Sequence, residues 1–251
     1  MVAHTSGGRE VAGSSPVIPT AAKELKPIGS SPFSFFEGTP VRKYLNFFGI
    51  SLAYSYLCTM TSKNLYIISG CNGAGKTTAS YTVLPEVLDC REFVNADEIA
   101  RGLSPFNPES VAIEAGRLML SRIEELLERD ESFSIETTLA TKSYINLVRR
   151  AQAKGYQVNV LFFWLRTPEL ALQRVAERVA NGGHNIPEDI IRRRYVAGIS
   201  NLFQIFIPVV DFWNIYDNSQ NPRIQIALGG READTIVFNN TLYQELQNYV
   251  K

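Results

Sequence analysis

From Leu65 onward, short apolar runs rich in β-branched and aromatic residues alternate with stretches whose apolar positions recur at helical spacing. The runs are LYIIS at 65–69, EFVN at 92–95, SFSIE at 132–136, QVNVLFFWL at 157–165 and FWNIY at 212–216. Strands separated by helices in this way predict a parallel sheet sandwiched by helices, because a parallel connection must cross over the sheet. RIQIALGG at 223–230 and TIVF at 235–238 predict a strand pair near the sheet edge, followed by a closing helix from about 240. Asn107-Pro108-Glu109 and Thr167-Pro168-Glu169 each set a capping residue before a first-turn proline and a carboxylate, which marks helix starts near 108 and 168.

Before Met60 this pattern is missing. Residues 1–40 are dense in Gly, Pro and Ser and offer turns without a periodic apolar face, so disorder is the expectation there. GGREVAGSSPVIPT also resembles the peptide obtained when a tRNA gene is translated as upstream coding sequence. Residues 1–59 are therefore expected to be a disordered or artefactual extension, with translation starting at Met60 and one domain over 60–251. The apolar segment Leu45–Met60 is interrupted by Asn46, two serines and two tyrosines, and falls short of the roughly 20 residues a membrane span needs. Across 251 residues, 45% of them hydrophobic, a sizeable core is available. Lys+Arg and Asp+Glu both number 25, so no global positive field gathers nucleic acid or an anionic membrane, and anion handling has to be local. Cys58, Cys71 and Cys90 follow no framework spacing, and free thiols in a reducing cytoplasm are expected.

The local anion site is legible. Gly70-Cys71-Asn72-Gly73-Ala74-Gly75-Lys76-Thr77-Thr78 matches GxxxxGK[ST] between a predicted strand and a predicted helix. The glycines allow a turn tight enough for successive N–H groups to point inward at phosphates, and the helix N-terminus adds its dipole. In this pattern Gly70, Asn72, Gly73, Ala74, Gly75, Lys76, Thr77 and Thr78 cradle a nucleoside triphosphate. Lys76 reaches the β and γ phosphates, and the Thr77 hydroxyl ligates Mg²⁺. No NKxD segment for guanine and no LSGGQ-like transporter signature is present, and the acids at 97–98 follow a strand too short and polar for a helicase type.

What remains is the small-molecule kinase class. Asp97 lies 21 residues after Lys76, past a short strand, where it would project at the carboxyl edge of the sheet and take a proton from an acceptor hydroxyl. A plainer reading makes Asp97 the N-cap of a helix at 98–102. Glu136 ends the third strand with Thr137 and Thr138 after it, and these groups would bind the acceptor or water-bridge the metal. Arg174, Arg178, Arg192, Arg193 and Arg194 surround Asn181-Gly182-Gly183-His184-Asn185-Ile186-Pro187, a helix-loop-helix with a Gly-Gly hinge that would close as an arginine-bearing lid.

SGCNGAGKTT, FVNADEIARGLSP, IETTLA, RVAERVANGGHNIP and YDNS, taken in order over residues 64–219, resemble the zeta toxin family of P-loop kinases. The resemblance implies a P-loop NTPase fold with a parallel sheet of about five strands, ATP and Mg²⁺ as cofactors, and phosphorylation of the 3′-hydroxyl of UDP-N-acetylglucosamine. It also implies an antitoxin protein as a partner. By motif, Lys76 and Thr77 would hold ATP and Mg²⁺ and Asp97 would be the base. Glu136 and Thr138 would bind the acceptor, and Arg178 with a lid residue would stabilise the phosphates. The family's second lid arginine is replaced around His184, so Arg193 or Arg194 would take its role toward substrate, and His184 would contact the substrate. The chain departs from the family pattern at Ala96, at Thr137 and in the lid turn GGHNIP, all on the acceptor side. The alternative reading is a nucleotide-dependent toxin-antitoxin or regulatory binding module without kinase activity; a polynucleotide end kinase is disfavoured by the neutral charge.

Overall fold

The computed structural model describes residues 63–250 apart from Val87 and His184. The expectations for residues 1–59, for a start at Met60 and for His184 lie outside the described residues.

The described strands are β1 (Asn64–Gly70), β2 (Glu92–Val94), β3 (Phe133–Thr137), β4 (Gln157–Trp164), β5 (Phe212–Asp217), β6 (Ile224–Gly230) and β7 (Ile236–Val237). They form one sheet in the order β2-β3-β1-β4-β5-β6-β7. The first five pair in parallel, and β6 and β7 add antiparallel at one edge. The five parallel strands and the edge pair follow the sequence pattern.

Helices occupy the crossovers, namely α1 (Lys76–Glu86), α2 (Ala96–Leu103), α3 (Ala112–Glu128), α4 (Tyr144–Ala153), α5 (Pro168–Ala180) and α6 (Glu188–Asn201), and α7 (Asn240–Gln247) follows β7. A 3₁₀ turn, Pro108–Val111, leads into α3, and a π-helix, Leu202–Phe206, extends α6. A helix thus starts at 108 as expected, with a 3₁₀ first turn that passes into α3, and the Asn107 side chain makes no capping bond. At 168 the expectation holds, with Thr167 accepting from Leu170 N–H ahead of Pro168. No helix among the described residues is long and apolar enough to cross a membrane.

The two central strands explain the run-like hydrophobicity. Every residue of β1 is buried, and so is every residue of β4 after Gln157. Both faces of a parallel sheet are covered by helices, so alternation gives way to continuous apolar sequence. Leu65, Ile67, Phe133, Ile135, Val158 and Phe163 are fully buried there, and each such side chain contributes about 1.5–3 kcal/mol of transfer free energy.

One polar pair in this core ties a helix to the sheet. Trp164 Nε1–H donates to the Tyr195 hydroxyl at 2.8 Å, and that hydroxyl donates to Leu165 O at 2.7 Å. The pair pins α6 to the carboxyl end of β4. Tyr195→Phe leaves the buried indole N–H without its acceptor, and is expected to destabilise the fold by about 1–3 kcal/mol in urea titrations with an unchanged slope.

Candidate active site

The loop after β1 is gripped from both sides. A Cβ at Gly70, whose φ is +136°, would lie 2.0 Å from Phe163 O, so only glycine lets β1 end against β4 at this point. At Gly75, with φ +76°, a Cβ would lie 2.7 Å from Asn218 Nδ2, and that same amide donates to Ala74 O at 2.8 Å. The Asn218 segment is itself fixed. Buried Asp217 accepts from Arg166 Nε and Ser219 N–H, both at 2.8 Å, while Asn218 N–H donates to Trp164 O. On the other flank α5 packs close, since a Cβ at Gly73 would meet Ala171 O at 2.9 Å.

Within the loop Lys76 is buried, and its ammonium donates to Cys71 O at 3.0 Å and stands 3.7 Å from Glu136 Oε1. Burial pushes the Cys71 thiol up to about 11 against the opposing pull of Lys76. The thiol stays protonated at neutral pH and adds neither charge nor nucleophile to the loop.

Glu136 is brought to this loop by register. In the β1–β3 pairing Ile68 lies opposite Glu136 and Ser69 opposite Thr137, so the carboxylate emerges level with the turn at Gly70. Its Oε2 accepts from the Thr77 hydroxyl at 2.8 Å and from Asn95 Nδ2 at 2.9 Å. All three polar contacts of Glu136 thus face the phosphate loop and the α2 terminus.

Asn95 also corrects one reading of Asp97. The N-cap of α2 is Asn95, whose side-chain oxygen accepts from Asp97 N–H at 2.8 Å, and α2 begins at Ala96. Asp97 lies in the first turn, exposed, and lines a cavity of about 160 Å³ with Arg101, Glu109 and Arg178. Asn95 therefore joins the α2 cap to Glu136, a link the sequence pattern does not single out. The signal for the cap itself was present as an asparagine directly after a strand and ahead of Ala-Asp-Glu, the ordinary place for a cap.

A second cavity, of about 420 Å³, opens beside the loop and is lined by Gly75, Thr78, Arg174, Asn218 and Arg223 among others. Arg174 donates to Ser219 O at 3.0 Å. The two cavities share no lining residue: one holds Asp97 and Arg178, the other Thr78 and Asn218.

The lid arginines are not equivalent. Arg178 is half-buried beneath the turn that follows α5, and a Cβ at Gly183 would meet its Cγ at 2.5 Å. The Gly-Gly pair is therefore a packing requirement over Arg178, in addition to supplying φ +81° at Gly182. Arg192 bridges Glu169 at 2.7 Å and Glu188 at 2.8 Å, tying α5 to α6. Arg193 is exposed and Arg194 half-buried. Thr138 Oγ1 accepts from Ala140 N–H at 3.4 Å, beside the loop that ends β3.

No group of three or more His, Cys, Asp or Glu capable of holding a metal is present among the described residues. A Thr77 hydroxyl beside the Glu136 carboxylate still fits Mg²⁺, which usually keeps several waters and is bound through one or two protein oxygens plus phosphates.

With this geometry in place, the comparisons are specific. The family model described as Zeta toxin matches residues 57–221. An uncharacterized protein of Haemophilus influenzae is 31% identical over 139 residues, which is 55% of this chain and 96% of that protein. Among solved structures, the AvrRxo1-ORF1:-ORF2 crystal structure with ATP is similar at TM-score 0.59 and 19% identity; the match covers 78% of this chain and 66% of that one. The PezAT chromosomal toxin-antitoxin system of Streptococcus pneumoniae is similar at TM-score 0.55 and 18% identity, over 80% of this chain and 85% of that one.

Asn95→Ala removes the cap of α2 and one of the two hydrogen-bond donors on Glu136 Oε2. It is expected to cost about 1–2 kcal/mol of stability, read by urea titration.

Proposed function

The chain belongs to the zeta toxin family and has a P-loop kinase fold, and on that premise we propose that it transfers the γ-phosphoryl group of ATP to a hydroxyl of a small metabolite. UDP-N-acetylglucosamine is the first candidate acceptor. The observation that carries this reading is the pairing of two sites across one carboxylate. Glu136 contacts the phosphate-loop residues Lys76 and Thr77 and, through Asn95, the helix that carries Asp97.

The chemistry follows from that arrangement. Backbone N–H groups of 70–76 and the Lys76 ammonium hold the β and γ phosphates. Thr77 directly and Glu136 through water would hold Mg²⁺, which when bound neutralises phosphate charge during transfer. The Asp97 carboxylate accepts the proton of the acceptor hydroxyl as that oxygen bonds to the γ phosphorus, and the bond from phosphorus to the bridging oxygen breaks to release ADP. Arg178, in the same cavity as Asp97, offsets charge on the transferring phosphoryl. Arg101 and Glu109 at the cavity wall bind the acceptor's polar groups, while Ala96, Ala100 and Ala112 give it an apolar floor. The base of ATP lies in the larger cavity beside Thr78 and Asn218.

A protein partner is a second reading, favoured by one observation. The fold matches a chain of a toxin-antitoxin system and a chain solved as an ORF1:ORF2 complex. In a pure binding module ATP occupancy changes partner capture and no acceptor stimulates ADP formation.

The deciding experiment incubates the full chain with ATP, Mg²⁺ and a panel of hydroxylated acceptors, UDP-N-acetylglucosamine first. Acceptor-dependent ADP release is expected, and Asp97→Asn should lower it by about 10²–10⁴-fold with ATP binding retained. Full turnover in that variant removes Asp97 as the base, and no stimulation by any acceptor supports the binding module. The lid arginines give a finer test. Arg194 stands four residues before Gly198 and seven before Asn201, so all three share one face of α6. That face approaches the loop after β3 at Thr138 and Leu139. Arg194→Ala is therefore expected to lower kcat by about tenfold or more, and Arg193→Ala to change it by less than about threefold.

A further inference from the structure

The loop that follows β3 adopts a conformation its sequence does not favour. Leu139 is fully buried and has φ +56°, in the left-handed region that glycine or asparagine enters far more readily. A buried leucine stays there only where its surroundings fix it. Three contacts do so. The Thr137 and Thr138 hydroxyls accept from Leu139 N–H at 3.1 Å and Ala140 N–H at 3.4 Å. The buried Asn201 amide, on a different element, donates to Leu139 O at 2.7 Å. Gly198, one turn earlier in α6, leaves room for Thr138 O, which a Cβ there would approach to 2.5 Å.

We propose that Asn201 is a positioning residue for the acceptor: it holds the reversal at Leu139 and, through it, Thr137 and Thr138, which follow Glu136 at the end of β3. The assignment of Thr138 to the acceptor side rests on the proposed kinase reading. The hydrogen bond from Asn201 supplies what the loop's own threonines lack. They satisfy N–H groups, whereas Leu139 O points into the core and takes its donor from α6. Asn201 also sits where α6 gives way to the π-helix Leu202–Phe206. Such one-turn wide segments often occur where a helix is adapted to a functional site.

The constraint is local. Glu136 keeps its bonds to Thr77 and Asn95 through its own strand register, and the phosphate loop is held from β4, β5 and α5. Losing the Asn201 donor is therefore expected to disturb the 137–140 segment and leave triphosphate binding in place.

The test uses the full chain with Asn201→Asp, which keeps the shape but sets a carboxylate against Leu139 O, and Asn201→Leu, which removes the donor without charge. Amide hydrogen exchange is followed by mass spectrometry, the affinity for a fluorescent ATP analogue is titrated, and ADP release is measured against ATP and against the acceptor separately. Exchange in the 137–141 segment is expected to rise by about tenfold or more while 64–80 changes little. The kcat/KM for the acceptor is expected to fall by about tenfold or more, with the affinity for the ATP analogue within about threefold of the parent. Unchanged exchange at 137–141 in both variants overturns the proposal, as does a parallel loss of ATP and acceptor affinity, which would mark Asn201 as a general fold residue. If no acceptor stimulates the parent protein, the kinase reading fails on its own, and the exchange pattern still decides whether Asn201 holds this loop.

Discussion

The Glu136 carboxylate is where the molecule's main elements meet. It stands one residue before the end of β3, accepts from Thr77 at the start of α1 and from Asn95 at the cap of α2, and faces the Lys76 ammonium at 3.7 Å. Its side chain is only 11% exposed and that of Lys76 7%. Charges withdrawn from water this far must be paired and hydrogen-bonded, or the fold bears their full desolvation cost. Satisfying both therefore dictates which elements are neighbours. β3 has to lie between β1 and β2, as the sheet order has it, because only then does one carboxylate reach the turn after β1 and the helix after β2 together. The same contacts that stabilise an otherwise costly pair of buried ions set the phosphate loop and the Asp97 helix in a fixed relation.

The other half of the loop is held by shape and backbone bonds. Gly70 lies against Phe163 O, Gly73 against α5, and Asn218 reaches across from the end of β5 to Ala74 O. The Asn218 segment is in turn set by buried Asp217, which is paired with the exposed Arg166. A loop fixed on four sides before any ligand arrives has already lost the freedom that binding would otherwise have to remove, which favours affinity for the phosphates.

Much of this was legible because it depends on local pattern. Each predicted strand from LYIIS to FWNIY is present, and the edge pair and closing helix lie where turn residues and alternation put them. The glycine spacing of the loop is legible for a related reason, since positive φ and close approach leave no other residue type. The cap of α2 was misread because Asn95, Asp97 and the acidic first turn all suit a helix start, and only the geometry separates Asn95, whose side chain bonds Asp97 N–H, from Asp97 itself. The helix start at 108 is present, although its first turn is 3₁₀, since a first-turn proline is as compatible with a 3₁₀ turn as with an α-helix. Least legible were long-range pairings. Nothing local to Leu139 announces a left-handed conformation, and its partner Asn201 is 62 residues away on a helix face chosen by tertiary packing.

The arginine cluster shows how position on a helix divides one residue type into different tasks. α5 is anchored to the phosphate loop at Ala171 and Arg174, and α6 is anchored to the loop after β3 at Gly198 and Asn201. Arg178 lies four residues beyond Arg174, and Arg194 four before Gly198, so each is one turn outward from an anchored residue on the same face. Arg192 is two residues from Arg194 and so points elsewhere, where Glu169 and Glu188 hold it as a tie between the helices. Two anchors and one tie thus set Arg178 and Arg194 on separate helices, each one turn from a residue packed against the phosphate loop or the loop after β3. A net charge of zero overall is compatible with an anion site here because the positive charge is concentrated by helix phase rather than by number.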